Sequence, residues 1–322
     1  MNATAYEAMA TGICYGRISD YVVTGKVGQG KYSQVFSARS KVRPSTDNDC
    51  VVKILKPAIQ KKILREISIL KDVRMGPSTV KLLDVLRDPI SLCTALVFER
   101  SPNVKYKVLY IQMEENDIVD YLKQVLSALV HCHAQGIFHR DVKPSNIMCG
   151  APSGPVRLID WGLADYYTPG GRYTSKVGTM QYKPPELLMG YEYYDKQIDM
   201  WSFGCVFGSL LFSKRPFFCG AKTNIQQLAT TVQLLGYADC AAYLEQLVVT
   251  MAKKNNRETF NWRDELSAYR DVSVPGLESL ENPENSHKVS NSAVSLLRWC
   301  LQYNPKDRPT PSEALAHPYL NR

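Results

Sequence analysis

What most constrains this chain is a change of hydrophobic period near residue 97. From Tyr21 to about Leu96 the apolar residues alternate or cluster as they do in short strands, with one interruption. "YVVTGKVG" and "SQVFSAR" lie on either side of a glycine-rich turn, and "DCVVKIL" is a further apolar strand. The interruption, "IQKKILREISILKDV", repeats its apolar positions at helical spacing. After a short connector, "SPNV", the pattern becomes helical, beginning with the long amphipathic segment "NDIVDYLKQVLSALVHCHAQG", whose stop signal is Gly136. Further helices are predicted at "DMWSFGCVFGSLLF", "TNIQQLATTVQLLG", "DCAAYLEQLVVTMAKK", "NSAVSLLRWCLQY" and "TPSEALAHP". Such a chain folds as α+β, a small sheet-rich lobe joined to a large helical one, with a cleft between them suited to a small ligand.

At 322 residues, 45% of them hydrophobic, the chain can bury a sizeable core. No window approaches the roughly 18 uninterrupted apolar residues of a membrane span. "MNATAYEAMATGICYGRISDY" has no basic region followed by an apolar core, so neither a membrane nor export is expected. Residues 1–20 are weakly patterned and read as an arm. Nine cysteines, an odd number with no CxxC spacing, read as reduced thiols of a cytoplasmic and nuclear protein. His131 and His133 flank Cys132, but they sit in a helical stretch with no second ligand pair, and packing explains them better than a metal. The net charge of +8 suits an acidic protein, a nucleic acid or an anionic membrane. Because the basic residues are dispersed, with no aromatic stacking platform among them, specific nucleic-acid binding is not expected.

The turn in "KVGQGKYSQVF" offers Gly28 and Gly30, then Ser33 where a third glycine would complete G-x-G-x-x-G. Alone, it has an ordinary backbone explanation. Because it joins two strands, it suits a flap over phosphates, where bare backbone can approach closely. Lys53 in "VVKIL" is costly to bury unpaired, and Glu66 on the following helix is its candidate partner. "IFHRDVKPSNIMCG" places Asp141, Lys143 and Asn146 within a few residues, pinned by Pro144. By itself that stretch reads as a solvated loop. It is followed by "RLIDWGLAD" with Asp160, "KPPELL" with Glu186, "DMWSFG" with Asp199 and "PKDRPTPSEAL" with Arg308.

These motifs stand in the order of the protein-kinase signature set, and the chain resembles a eukaryotic protein kinase over nearly its whole length. "GKYSQVF", "VVKILKP", "HRDVKP", "LIDWGLA" with tryptophan where most kinases carry phenylalanine, and the closing "HPYL" are similar to the catalytic alpha-subunit family of casein kinase II. The resemblance implies a two-lobed α+β kinase fold: a small antiparallel sheet lobe with one main helix over residues 21–97, a hinge at 98–103, and a mainly helical lobe over 104–322. It also implies ATP and magnesium, with GTP able to stand in for ATP. Lys53, oriented by Glu66, would hold the α- and β-phosphates, and the backbone from Gly28 to Ser33 would cover the triphosphate. Asn146 and Asp160 would ligate magnesium. Asp141 would orient the substrate hydroxyl and accept its proton, with Lys143 near the γ-phosphate. Val27, Val35, Val51, Phe98, Met148 and Ile159 would wall the adenine, and Glu99 and Ser101 would offer it backbone hydrogen bonds, although each taken alone reads as core. Arg308 would pair with Glu186, and Asp199 would hold the catalytic loop from beneath.

The same resemblance implies serine or threonine substrates followed by acidic residues. Lys61, Lys62 and Arg65 on the helix, and Lys176 and Lys183 before the P-P-E triplet, supply positive charge for them. Ile59, Gln60 and Leu64 stand where the family carries lysines, and Met180 where it carries arginine, so a weaker or differently placed acidic preference is expected. The segment from Tyr6 to Ile18 is expected to brace the activation segment, residues 160–186, whose Thr168, Tyr173, Thr174, Ser175 and Thr179 could each take a phosphate. The resemblance further implies a regulatory beta-subunit dimer docked on the small lobe. Two other readings stay open: a proline-directed kinase of the same broader group, and a pseudokinase scaffold. The intact set Lys53, Glu66, Asp141, Asn146 and Asp160 argues against the scaffold. The stretch "NNRETFNWRDELSAYRDVSVPGLESLENPEN" reads only as a loop-rich insert.

Overall fold

The computed structural model describes residues 12–30, 32–44, 48–56, 60–257 and 260–321. Strands β1 (Tyr21–Gln29), β2 (Ser33–Ser40), β3 (Asp49–Leu55), β4 (Leu82–Arg87) and β5 (Thr94–Glu99) form an antiparallel sheet in the order β1-β2-β3-β5-β4. Its register sets Gly28 opposite Val35, Val35 opposite Lys53, and Lys53 opposite Leu96, so glycine turn and lysine share one row. Ala38, Cys50, Val52, Leu86 and Val97 form a small core on the sheet.

Helix α1 (Gln60–Val73) is inserted between β3 and β4. Its apolar residues Leu64, Ile67, Leu70 and Val73 recur at helical spacing and are buried, while Lys61 and Lys62 lie on its exposed side. Leu64 therefore serves the core, which is why no cation stands there.

The rest of the chain is mainly helical: α2 (Tyr106–Gln112), α3 (Glu115–Ala134), α4 (Pro185–Leu188), α5 (Gln197–Leu211), α6 (Asn224–Leu235), α7 (Tyr237–Lys253), α8 (Trp262–Leu266), α9 (Asn291–Cys300) and α10 (Pro311–Leu315). Helix α3 opens on a capping box between Glu114 and Asp117 and ends where Gly136 turns left-handed at φ +69°, the stop that its sequence predicts. Every residue of α5 from Ile198 to Leu211 is buried, as expected of a helix apolar on all sides. Gly208 lets this helix close on the Phe217 ring, which lies 2.8 Å from where a β-carbon would be. Helix α2 is absent from the sequence-based expectation, since seven residues are too few to show a period. The insert after residue 255 is short helical pieces joined by loops, as expected.

Two miniature sheets set the cleft. Strand β6 (Ile137–Phe138) pairs with β9 (Asp165–Tyr166), and β7 (Ile147–Cys149) pairs with β8 (Val156–Leu158). They bring the loop 139–146 against the loop 159–164. The nine cysteines are free thiols. No helix among the described residues is long and apolar enough to cross a membrane.

Residues 12–18 run along the small lobe: Gly16 N donates to Val85 O at 2.9 Å, and Lys71 Nζ donates to Gly12 O at 3.0 Å. A side chain at Gly16 would collide with the Asp84 carboxylate. Residues 12–18 thus lie on the small lobe and not on the activation segment as expected, while the rest of the expected brace, residues 6–11, lies outside the described residues, as does Ile59.

Arg308 and Glu186 lock the far side of the helical lobe. Their paired contacts, Nη1–Oε1 at 2.7 Å and Nη2–Oε2 at 2.9 Å, are almost fully buried, and Arg308 also donates to the carbonyls of Gln302 and Tyr303. Burial opposes the guanidinium charge, but Glu186 outweighs it and holds the pKa above its ordinary value. Arg308→Met, which strands a buried carboxylate, should cost about 3–5 kcal/mol in urea unfolding, and adding Glu186→Met should recover much of it. Equal stability of the single and double variants would contradict this account.

Candidate functional site

The carboxylate of Asp199, on α5, is fully buried and sits under the loop that follows β6. It accepts the backbone N–H of His139 and of Arg140, each at 2.8 Å, and lies 2.9 Å from His133 Nε2. Burial alone would raise its pKa, but the His133 contact and these donors outweigh it and hold the carboxyl below its usual range. His139 ties this loop to the next. Its Nδ1 accepts Asp141 N–H at 3.3 Å, and its Nε2 donates to Ile159 O at 3.0 Å. Trp161, buried, sets its ring edge-on to His139 with centroids 4.8 Å apart.

Arg140 has a positive φ of 65°, uncommon for a residue with a side chain, and several contacts hold it. Its Nε donates to Leu163 O at 2.6 Å and its Nη2 to Asp165 Oδ2 at 2.8 Å, while its guanidinium lies 5.1 Å over the Phe138 ring. Asp165 also takes Arg65 Nη1 at 2.7 Å, and the neighbouring Tyr166 hydroxyl lies 2.6 Å from Asp72 Oδ2. The start of the activation segment is thereby pinned to both the catalytic loop and α1. Arg65, grouped with Lys61 and Lys62 by its sequence position, is committed to Asp165 and offers no free charge to a substrate. The sequence singles out neither Arg140 nor Asp165, because pairing across the β6–β9 ladder leaves no local pattern.

Asp141 is buried and held from three directions. Lys143 Nζ lies 2.7 Å from its Oδ2, Thr179 Oγ1 donates to its Oδ1 at 2.8 Å, and Asn146 Nδ2 donates to its Oδ2 at 3.0 Å. Lys143 Nζ also donates to Thr179 Oγ1 at 2.7 Å, so one hydroxyl accepts from the amine while giving its proton to the carboxylate. By sequence Thr179 is only a phosphorylatable residue; its role in this ring comes from the segment 177–183 folding back over the loop.

Across the cleft, Lys53 Nζ lies 2.8 Å from both Glu66 Oε1 and Asp160 Oδ1. Burial opposes its charge, but the two carboxylates outweigh it and hold the amine above its ordinary pKa. Asp160 is held in the left-handed region at φ 60°, with its carboxyl kept below the usual range by Lys53 against the opposing effect of burial. A β-carbon at Gly162 would sit 3.3 Å from Glu66 Oε2, so glycine there leaves room for that carboxylate.

The expected nucleotide-binding residues converge on the same cleft. Val51 pairs with Phe98 across β3 and β5, Met148 lies on β7, and Ile159 donates its N–H to Asn146 O at 2.9 Å. Val27 is largely exposed on β1, Val35 and Ser101 are half-buried, and Ser33 is buried beside Gly30. Arg157 Nε, at 3.1 Å, engages the side chain of Glu99, so its backbone is what it can offer a ligand. Among the described residues a β-carbon at Gly28 would meet nothing within 4 Å, so there is open room at Gly28 over the row that includes Lys53.

The donor set fits a hard divalent cation shared with phosphates. Asn146 directs its amide N–H groups to Asp141, leaving its carbonyl oxygen as acceptor, and Asp160 adds a half-exposed carboxylate. Among the described residues no cluster of three or more His, Cys, Asp or Glu could hold a metal alone. One carboxylate and one amide suit a cation that takes its remaining ligands from water and phosphate. Of the expected substrate-facing lysines, Lys62 and Lys176 are exposed, and Lys183 is half-buried with its pKa lowered by burial.

The depressed Asp199 carboxyl gives a signed pH dependence. Its contribution is full above the ordinary carboxylate pKa of about 3.9 and is lost as pH falls through the lower folded value. Asp199→Asn should cost about 1.5–3 kcal/mol in urea unfolding at neutral pH, and the gap to the parent protein should shrink below about pH 4. A gap independent of pH would refute it.

The assembly comprises a lysine between two carboxylates, a buried aspartate aimed by a lysine–threonine pair, an open glycine turn and oxygen donors for one cation. It is suited to holding a polyphosphate and directing a nucleophile at it. A family comparison agrees with that chemistry, matching the protein kinase domain over residues 21–320. The chain belongs to the protein kinase family, whose members transfer phosphate from ATP to protein substrates with the help of a divalent cation.

Proposed function

We propose that this chain is a serine/threonine kinase of the casein kinase II kind, using magnesium with ATP, and GTP as a substitute, on hydroxyls near acidic residues. The observation that carries this reading is the closed ring of Asp141, Lys143 and Thr179. Asp141, aimed by its neighbours, orients the substrate hydroxyl and accepts its proton, while Lys143 balances negative charge at the phosphoryl group. Lys53, positioned by Glu66, holds the inner phosphates, and the turn from Gly28 to Ser33 closes over them. Magnesium held by Asn146 and Asp160 would neutralise charge on the phosphates. Val27, Val35, Val51, Phe98, Met148 and Ile159 enclose the purine, with the backbone of Glu99 and Ser101 reading its edge.

Lys61, Lys62, Lys176 and Lys183 give the substrate side a positive bias, weakened by Met180 and by the loss of Arg65 to Asp165. Under the same reading the small lobe carries a regulatory beta-subunit dimer and the enzyme works in cytoplasm and nucleus. Labelled-phosphate transfer to paired serine peptides, with and without downstream acids, tests the core of it. Transfer should favour the acidic peptide and fall about 10²–10⁴-fold in Asp141→Asn. Equal rates on both peptides would remove the acidic preference, and activity untouched by Asp141→Asn would remove the mechanism.

Activation-segment phosphates order kinases by pairing with arginines. Here Asp165 already occupies Arg140 and Arg65. The enzyme should therefore be active without such a phosphate. Phosphatase treatment should leave kcat/KM unchanged, whereas Asp165→Asn should lower it about 10-fold or more. Loss of activity on phosphatase treatment would refute this.

A further inference from the structure

Strand β9 is two residues long, and its short ladder to β6 is too little backbone to fix it alone. Side chains of α1 complete its anchorage. Arg65, Ser68 and Asp72 recur at helical spacing and form one stripe of that helix against the strand. Arg65 takes the Asp165 carboxylate at 2.7 Å, while the Tyr166 hydroxyl donates to Asp72 Oδ2 at 2.6 Å and lies 3.0 Å from Ser68 Oγ. The phenol has a single proton to give, so Ser68 is left to donate to it. Burial, and after it Asp72, raises the Tyr166 pKa above its ordinary value, so the phenol keeps that proton at neutral pH.

The two attachments differ mechanically. Arginine is a long side chain with many rotatable bonds and can follow the helix as it moves. Tyrosine has few, and the Tyr166 ring is packed against the main core, so its hydroxyl marks a fixed point. That point lies two turns along α1 from the Arg65 contact, about 10 Å along the axis. A flexible tether alone would let the helix roll about its own axis; a rigid one two turns away resists it. Glu66 stands about 100° round the helix from Arg65. A roll would therefore carry its carboxylate away from Lys53 Nζ, which it holds at 2.8 Å.

We infer that Tyr166 is a positioning residue for phosphoryl transfer: its hydroxyl, held by Asp72 and Ser68, sets the roll of α1 and, through Glu66, the place of Lys53. The inference rests on the kinase reading above and adds a determinant that the ion pairs of Asp165 do not supply. Among the described residues no hydrogen bond joins Tyr166 to Lys53, Asp141 or Asp160, so it acts through the helix.

The test uses Tyr166→Phe, which keeps the ring and removes only the hydroxyl, and Asp72→Ala, which removes its acceptor at an exposed position. At saturating ATP and magnesium each should lower kcat about tenfold and leave the KM for a serine peptide within about twofold of the parent. Amide hydrogen exchange in α1, measured without substrate, should quicken about tenfold in both. Asp72→Asn keeps an acceptor oxygen and should retain most of the parent kcat, and Tyr166→Phe combined with Asp72→Ala should lose no more than either alone. In a Glu66→Gln background, Tyr166→Phe should change kcat by less than about twofold, whereas a merely structural role would cost as much there as in the parent. Parent-like exchange and kcat in Tyr166→Phe, or an undiminished loss in the Glu66→Gln background, overturns the inference. Faster exchange in Tyr166→Phe together with no transfer by the parent to any peptide would instead overturn the kinase reading and leave the hold of Tyr166 on α1 standing.

Discussion

The buried carboxylate of Asp199 is the constraint on which the cleft depends. Two consecutive backbone N–H groups, those of His139 and Arg140, point at it from the loop after β6. That requirement turns the chain sharply, and Arg140 takes the positive φ that results. The turn sends the Arg140 side chain toward Asp165 and leaves Asp141 facing Lys143, Thr179 and Asn146. One buried charge thus fixes the directions of the two residues that matter most above it. Helix α5 can bear this load because every side chain around it from Ile198 to Leu211 is packed.

The lobes are joined by charge as well as by chain. Lys53 reaches from the sheet to Asp160, and Arg65 reaches from α1 to Asp165. Arg140 meets Asp165 from the other side. A shift of α1 would therefore break the Glu66 contact to Lys53 and the Arg65 contact to Asp165 together. Asp165 has two guanidiniums on one carboxylate oxygen. Arg65 is thereby committed to Asp165.

Much of this is legible in the sequence alone. The change of period at residue 97 separates sheet from helices, and the order of motifs names Lys53, Glu66, Asp141, Asn146 and Asp160. Those residues do converge, because each motif carries its own local geometry: a strand lysine, a helix carboxylate, a loop pinned by Pro144. What stays hidden is reciprocal. Thr179 looks like any hydroxyl in a loop until the folded segment sets it against Asp141, and Asp165 like any acid at a strand end until the two-residue ladder of β6 and β9 sets it against Arg140. Leu64 stands where the family pattern has a cation, yet it is a core residue of α1. Pairing at long range, between elements too short to show a period, leaves no trace in a single sequence.

Thr179 also ties Asp141 to a second fixed point of the fold. The segment that carries it continues through Gln181 and Tyr182 and the P-P-E triplet to the buried Glu186–Arg308 pair. The Glu186–Arg308 pair anchors the far end of this segment and the bond from Thr179 to Asp141 its near end, so a displacement between the two anchors is felt at the Asp141 carboxylate.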